Sequence, residues 1–320
     1  MQTTFKHSGN ISMKDIVLRM HGEDEHTDKA TSNPAQISLP SKEETKKIAK
    51  FIERASGMEI RDTIKKDGVR VEFVSREKAT MISQEETYKI FEKFIDSPAA
   101  LQQLRKKISE DVFHGENVPA FFSPSDNTIY FITETTEEKI KKRCDSKGVE
   151  RDSPEGKSIE RFFILHSFVH EIIHQTIKEN YPSVGNWHLN TVAEDAKMVL
   201  ASLEPQNQSQ EKQEDFAKLI KEIGAKKKLM HAYNEGIAYR AGYEVLCQLH
   251  YSSSAAKEYK KAREDEKHYE DIPKGIKFLE AIERKTGGQN PITFTTKNPP
   301  QSMEELKDAN KYLARIGWER

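Results

Sequence analysis

In a mostly apolar stretch, two histidines stand four positions apart with a glutamate between them: His170-Glu171-Ile172-Ile173-His174. If the run from about Ile159 to Tyr181 is a helix, residues four apart lie on one face, one turn above the other. Both imidazoles then reach one metal ion. Zn²⁺ takes histidine nitrogen and carboxylate oxygen, and a catalytic zinc keeps a fourth position for water. Glu171, roughly 100° round the helix from His170, stands beside such an ion and can take a proton from its water. The bland alternative is a chance H-E-x-x-H on a charged helix, with histidines bonded to water or backbone. The neighbours argue against it. Phe162, Phe163, Ile164, Leu165, Phe168, Val169, Ile172, Ile173 and Ile177 cover nearly every side, and a helix apolar all round is buried. Buried polar groups left without partners cost on the order of 2–7 kcal/mol.

Two histidines leave a catalytic zinc one protein ligand short. The candidates are His188, Glu194, Asp195 and Glu235. A helix over Thr191–Leu203 puts Val192, Ala196, Val199 and Leu203 on one face and Glu194 about 200° away from Val192, in solvent. Glu235 sits otherwise. Ala232, Ala238, Tyr239, Gly242, Leu246 and Leu249 fall within roughly 60° of it on a helix. A carboxylate inside an apolar stripe needs a cation or donors. The metal is one such cation; a neighbouring base such as Arg240 is the other. Tyr239 and His231, one turn to either side of Glu235, are candidates to steady a tetrahedral oxyanion. His166, one turn before His170, reads as core or as a support for a ligand.

His170-Glu171-Ile172-Ile173-His174 followed by Asn234-Glu235-Gly236-Ile237-Ala238 resembles the zincin metallopeptidases of the gluzincin type. The N-E-G-x-A run is similar to that of the large zinc aminopeptidase family, whose N-E-G glutamate is the third zinc ligand. The likeness covers only these two helices. Glu235 follows His174 by 61 residues, a longer interval than in those aminopeptidases, and their G-x-M-E-N exopeptidase motif is absent. The resemblance therefore implies an endopeptidase. The Asn127-Thr-Ile-Tyr-Phe run ahead of the metal helix also resembles small bacterial effector metalloproteases of the H-E-x-x-H type.

The elements that must position these residues are legible in outline. Residues 1–40 are polar and aliphatic-poor from His21 on, and read as a disordered tail. Ser41 opens an S-x-x-E capping pattern for a helix to about Ser56. Val69–Val74 alternates as a strand. Ser83–Ile95 and Ala99–Val112 read as helices. Val118–Phe122 and Thr128–Ile132, joined by Ser123-Pro-Ser-Asp-Asn127, read as a hairpin. Beside a protease cleft its outer strand could pair with an extended peptide; it could equally be structural. Lys147–Lys157 is a loop, Pro205–Gln213 a polar linker. One helix starts near Glu214 and a further one carries Asn234-Glu235-Gly236. Ser254–Arg284 reads as a solvated helical face, Thr286–Pro300 as a loop, and Ser302 to about Ile316 as a final helix. The expected divisions are an N-terminal helical and β region over 41–112, a catalytic core over 113–252 and a C-terminal helical region over 253–320.

Composition bounds the function. Lys and Arg total 51 against 52 Asp and Glu, so no basic bias points to nucleic acid. Cys144 and Cys247 are too few for a disulfide framework and suit free thiols. Neither an apolar leader nor a run of ~20 apolar residues is visible. The expected setting is cytoplasmic in type, and delivery into another cell as an effector is compatible with it.

The fold expectation is α+β and predominantly helical: a zincin-like core with a small sheet or hairpin upstream of the metal helix. The functional expectation is a Zn²⁺ endopeptidase. His170, His174 and Glu235 bind the metal, Glu171 is the general base, and the partner is a protein or peptide, with no nucleic acid or membrane. The oligomeric state is left open. Two alternatives stand beside it: a zinc hydrolase of non-peptide amides, and a non-catalytic helical interaction protein with a structural metal.

Overall fold

Capping sets the first helix, α1 (Lys42–Ser56). The Ser41 hydroxyl accepts from the Glu44 N–H, and the Glu44 carboxylate accepts from the Ser41 N–H, satisfying two helix-end donors at once. Gly57 ends the helix in the left-handed region, at φ 67°. The computed structural model describes residues 37–92, 98, 101–102, 105–106, 118–123, 126–181, 210–265 and 271–318. Nearly all of the expected tail, most of Ala99–Val112 and all of Thr191–Leu203, with His188, Glu194 and Asp195, lie outside them.

After α1 come α2 (Asp62–Asp67), β1 (Arg70–Val74) and α3 (Arg76–Glu92). The expected hairpin is present as β2 (Ala120–Ser123) and β3 (Thr128–Ile132). They pair antiparallel with Phe121 opposite Tyr130. Asn127 takes the left-handed conformation in the turn, φ 55°, where Asn is tolerated. β1 joins parallel to β3 with Glu72 opposite Tyr130, giving the order β1-β3-β2. β3 is central and wholly buried; β2 is an edge.

Helix α4 (Thr133–Asp145) follows β3 directly. Of its apolar residues only Ile140 and Cys144 are buried. The metal-motif helix, α5, runs Pro154–Asn180. It starts several residues before the apolar run because Ser153 caps it, accepting from the Gly156 N–H, and Pro154 suits its first turn. So the end of the expected 147–157 loop is already helix.

The two helices expected after residue 210 are one. α6 spans Gln210–Gln248, 39 residues, or about 58 Å at ~1.5 Å per residue. Gly236 does not break it, because the glycine is required there. A Cβ on Gly236 would lie 2.6 Å from the Gly275 carbonyl carbon, and one on Gly275 would lie 1.9 Å from the Ala232 carbonyl oxygen. The backbones of α6 and the later helix α8 (Ile272–Lys285) meet at these residues. Gly275→Ala must therefore force two backbones apart. We expect a loss of at least the ~1–3 kcal/mol typical of overpacking. Gly224→Ala, in open space on α6, should gain about 0.5–1 kcal/mol. Denaturant midpoints of the two variants check both signs.

The solvated face expected over Ser254–Arg284 is corrected. Ile272, Ile276, Phe278, Leu279 and Ile282 of α8 are buried, so that helix is core and packs along α6. Its apolar residues recur at three and four positions, diluted by lysines and glutamates on the outer face. α7 (Ser252–Glu264) buries only Ala255 and Ala262. The 286–300 loop contains a short helix, α9 (Pro291–Thr296), capped by Asn290. The final helix is split into α10 (Met303–Lys307) and α11 (Ala309–Arg315), with Asp308 capping the second. The fold is α+β and predominantly helical, as its patterning implies. Residues Ser38–Arg320 form one compact unit, with α5 packed on α6 and β2. None of the described helices is long and apolar enough to cross a membrane.

Candidate metal centre

α5 buries its apolar sides against α6, β2 and α4, and its histidines emerge on the side facing α6. α6 answers with Glu235, between the buried Asn234 and Gly236. The three side chains converge. His170 Nε2 and His174 Nε2 are 3.0 Å apart. Glu235 reaches His170 Nε2 at 3.3 Å and His174 Nε2 at 3.1 Å, using one oxygen for each. Among the described residues this is the one group of three potential metal donors within reach of each other.

Those separations can be tested against zinc. Bonds of about 2.0–2.1 Å at tetrahedral angles put neighbouring donors about 3.3–3.4 Å apart. The edge between the two nitrogens, 3.0 Å, is slightly shorter. Glu235 reaches them with a different oxygen for each, and one donor atom from each of the three residues lies within 4.8 Å of the others, close enough to hold a metal ion. The side chains keep 16–27% of their surface exposed, which leaves one side open. Arg240, the other partner considered for Glu235, instead pairs with Glu244 at 2.8 Å and Glu283 at 3.1 Å. Burial pushes the Glu235 carboxyl up, but His174 and His170 outweigh it and hold it well below the usual carboxylate range. Glu235 is thus an anion aimed at two imidazoles.

Glu171 lies on the flank of α5 toward the sheet. Burial pushes its carboxyl up to about 7; His174 and the backbone N–H of Phe122, which donates to it, oppose the rise, and Glu235 adds to it. That contact ties it to β2. The Ile132 N–H donates to the Pro119 carbonyl. In an antiparallel ladder bonded pairs alternate, so Phe121 and Ser123 bond across to β3. Ala120 and Phe122 then turn their backbone groups to the open edge, and the Phe122 N–H meets Glu171 there.

The remaining candidates part company. The Tyr239 ring sits edge-on to His170 at 5.3 Å between centroids. His231 is exposed on α6, one turn before Glu235. His166 stacks below His170 at 6.3 Å; burial and His170 push its imidazole down to about 4, against the pull of Glu258. A small pocket beside His170 is lined by His166, Tyr239, Tyr243, Glu258 and Tyr259. Glu258, on α7, is held by Arg143 at 2.7 Å.

Neither Glu258 nor the Phe122 backbone was found from sequence. Glu258 lay in a segment read as solvated, and a backbone donor has no sequence signature. Burial pushes the Glu258 carboxyl up, but Arg143 more than offsets this and leaves it lowered. A lowered folded-state value means that the pair stabilises above the unfolded carboxyl pKa of ~4.3 and loses that contribution as pH falls. Metal-free wild type should therefore exceed Glu258→Gln in stability at pH 7, by roughly 1–3 kcal/mol for a charged hydrogen bond. The gap should close toward pH 3. Urea midpoints of both proteins from pH 7 to 3 measure it; a gap independent of pH would contradict the assignment.

Comparison with protein-family models, curated proteins and solved structures found no match.

Proposed function

We propose that the chain is a zinc-dependent endopeptidase. One observation carries the reading: two imidazole nitrogens 3.0 Å apart on one helix meet a carboxylate from another that gives each of them one oxygen, at 3.3 and 3.1 Å, with a half-buried carboxylate on the residue after His170. His170 and His174 would hold the metal through Nε2 and Glu235 through its carboxylate. Bound there, Zn²⁺ supplies Lewis acidity, lowering the pKa of water toward ~7 and polarising a carbonyl. Three protein donors suit a catalytic site, since structural zinc is held by four.

Glu171 is the general base. Burial raises its carboxyl in the metal-free protein, which makes the ionised group a stronger base. It takes a proton from the attacking water and gives it to the departing amide nitrogen. Tyr239, whose ring lies against His170, is the candidate phenol donor to the oxyanion. Glu171 takes the Phe122 N–H at the open edge of β2, so an extended peptide pairing with the edge groups left there, beginning at Ala120, would lie beside the base and the metal donors. That neighbourhood favours a peptide over a small amide.

The test is metal content and chelation. Purified protein should carry about one zinc per chain. 1,10-Phenanthroline should abolish cleavage of a peptide library, and substoichiometric Zn²⁺ should restore it. Cleavage indifferent to the chelator removes the metal mechanism; zinc without cleavage favours a structural site.

A further inference from the structure

Resting on that zinc site, we propose that His166 is a positioning residue: its flat ring, stacked under His170, sets the plane in which His170 presents Nε2 to the metal.

The need for such a device follows from the side chain. A histidine on a helix has a restricted χ1, but its terminal torsion is broad. A ligand ring must therefore be fixed by what lies against it. On metal-binding histidines this is ordinarily a hydrogen bond to the second ring nitrogen. Here rings box the imidazole. His174 stands edge-on at 4.6 Å and 79°, and Tyr239 edge-on at 5.3 Å and 71°. His166 lies beneath, 6.3 Å away and only 21° from parallel. Positions 166, 170 and 174 are spaced by four, so the three rings climb one face of α5 a turn apart.

His166 is itself held. Phe162 lies 5.9 Å from it, one further turn down α5, and Tyr239 lies 6.0 Å from it on α6. It shares the small pocket with Glu258 of α7, which Arg143 of α4 fixes at 2.7 Å. Four helices thus converge on a ring outside the donor triad. Tyr239 touches both His166 and His170, so it ties the support to the ligand.

A shape requirement distinguishes this role from simple filling of space. Phenylalanine at 166 keeps the plane, leucine keeps most of the volume without it, and alanine keeps neither. We would titrate the wild-type protein, His166→Phe, His166→Leu and His166→Ala with zinc against a chelating dye. Each would also be loaded with Co²⁺ and its visible d–d bands recorded. Thermal unfolding of each metal-free protein reports folding separately. His166→Phe should stay within about threefold of wild type in affinity, with the same Co²⁺ bands. His166→Leu and His166→Ala should lose about 10–100-fold, the range for partners supporting a ligand, with displaced bands. If His166→Ala does not fold, the Leu and Phe pair alone decides. Leucine equal to phenylalanine, or all variants equal to wild type, overturns the positioning role and leaves the zinc site standing. A wild-type protein that takes up no zinc overturns the metal centre and this inference together.

Discussion

Glu235→Ala should reduce zinc affinity by at least about 100-fold, because removing a ligand must cost more than removing a ligand's supporting partner, which costs about 10–100-fold. The expectation rests on geometry. Glu235 gives one oxygen to each histidine nitrogen, at 3.3 and 3.1 Å, and its nearest basic neighbour on α6, Arg240, is engaged by Glu244 and Glu283. In the metal-free state the loss should cost some stability at neutral pH, because His174 and His170 hold the carboxyl well below its usual range and a lowered folded-state value means that the charge stabilises the fold there. In the presence of zinc the mutant should lose the stabilisation that metal gives the wild type. Glu194→Ala, at the rival position, should change affinity by less than about threefold, the expectation from a helix periodicity that turns it away from the apolar face. Circular dichroism establishes folding, and titration with a chelating dye reads the affinities. Loss of metal from Glu194→Ala but not from Glu235→Ala would mean that the third ligand is misassigned.

How much of this site the sequence discloses depends on the range of the interaction. His170 and His174 face one way because of helix periodicity, a local property, and Ser41 and Glu44 cap α1 through an equally local pattern. Glu235 is a longer inference. Its apolar stripe shows in the structure as Ala232, Ala238 and Leu246, each at most 1% exposed. What it meets across that stripe depends on how α6 crosses α5, which no local pattern states. Gly242, another member of that stripe, faces α5 at ordinary distance: a Cβ there would meet Ile173 at 3.8 Å. The glycine that permits the closest helix approach is Gly236, against Gly275, and the sequence holds no sign of that pairing.

The misreadings share a cause. α8 looked solvated because lysines and glutamates raise its average polarity, though Ile272, Ile276, Leu279 and Ile282 keep the helical period. α6 reads in sequence as two helices, one from about Glu214 and one carrying Asn234-Glu235-Gly236, though it is continuous over Gln210–Gln248. α4 passed unread with Ile140 and Cys144 as its buried apolar residues, yet the sheet and α5 supply the surface that holds it. Average composition masks a periodic face, and a helix needs only one face buried. Glu258 was hidden for the same reason.

Glu171→Gln should leave zinc affinity within about threefold of wild type and lower kcat by about 10²–10⁴-fold, the usual contribution of a positioned general base. The amide has nearly the shape of the carboxylate and cannot hold the proton that must travel from water to the leaving nitrogen. It also accepts from the Phe122 N–H through its remaining oxygen, so the contact with β2 that places the side chain survives. The fold should gain slightly or stay level. Glu171 is a half-buried carboxyl beside Glu235, and its raised folded-state value means that stability falls as pH rises from the unfolded carboxyl pKa of ~4.3 to about 7 and is level above that. Glutamine removes that dependence, so the mutant's advantage should grow from about pH 4 to 7 and then level off in metal-free protein, as seen in urea midpoints. Dye titration, peptide cleavage and those midpoints together separate a lost base from a lost metal or a damaged fold. Turnover within about tenfold of wild type, with zinc bound, would assign the proton transfer to another group. Glu171→Asp offers the complementary check. It keeps the charge but withdraws it by one methylene, so activity should fall while its pH dependence persists.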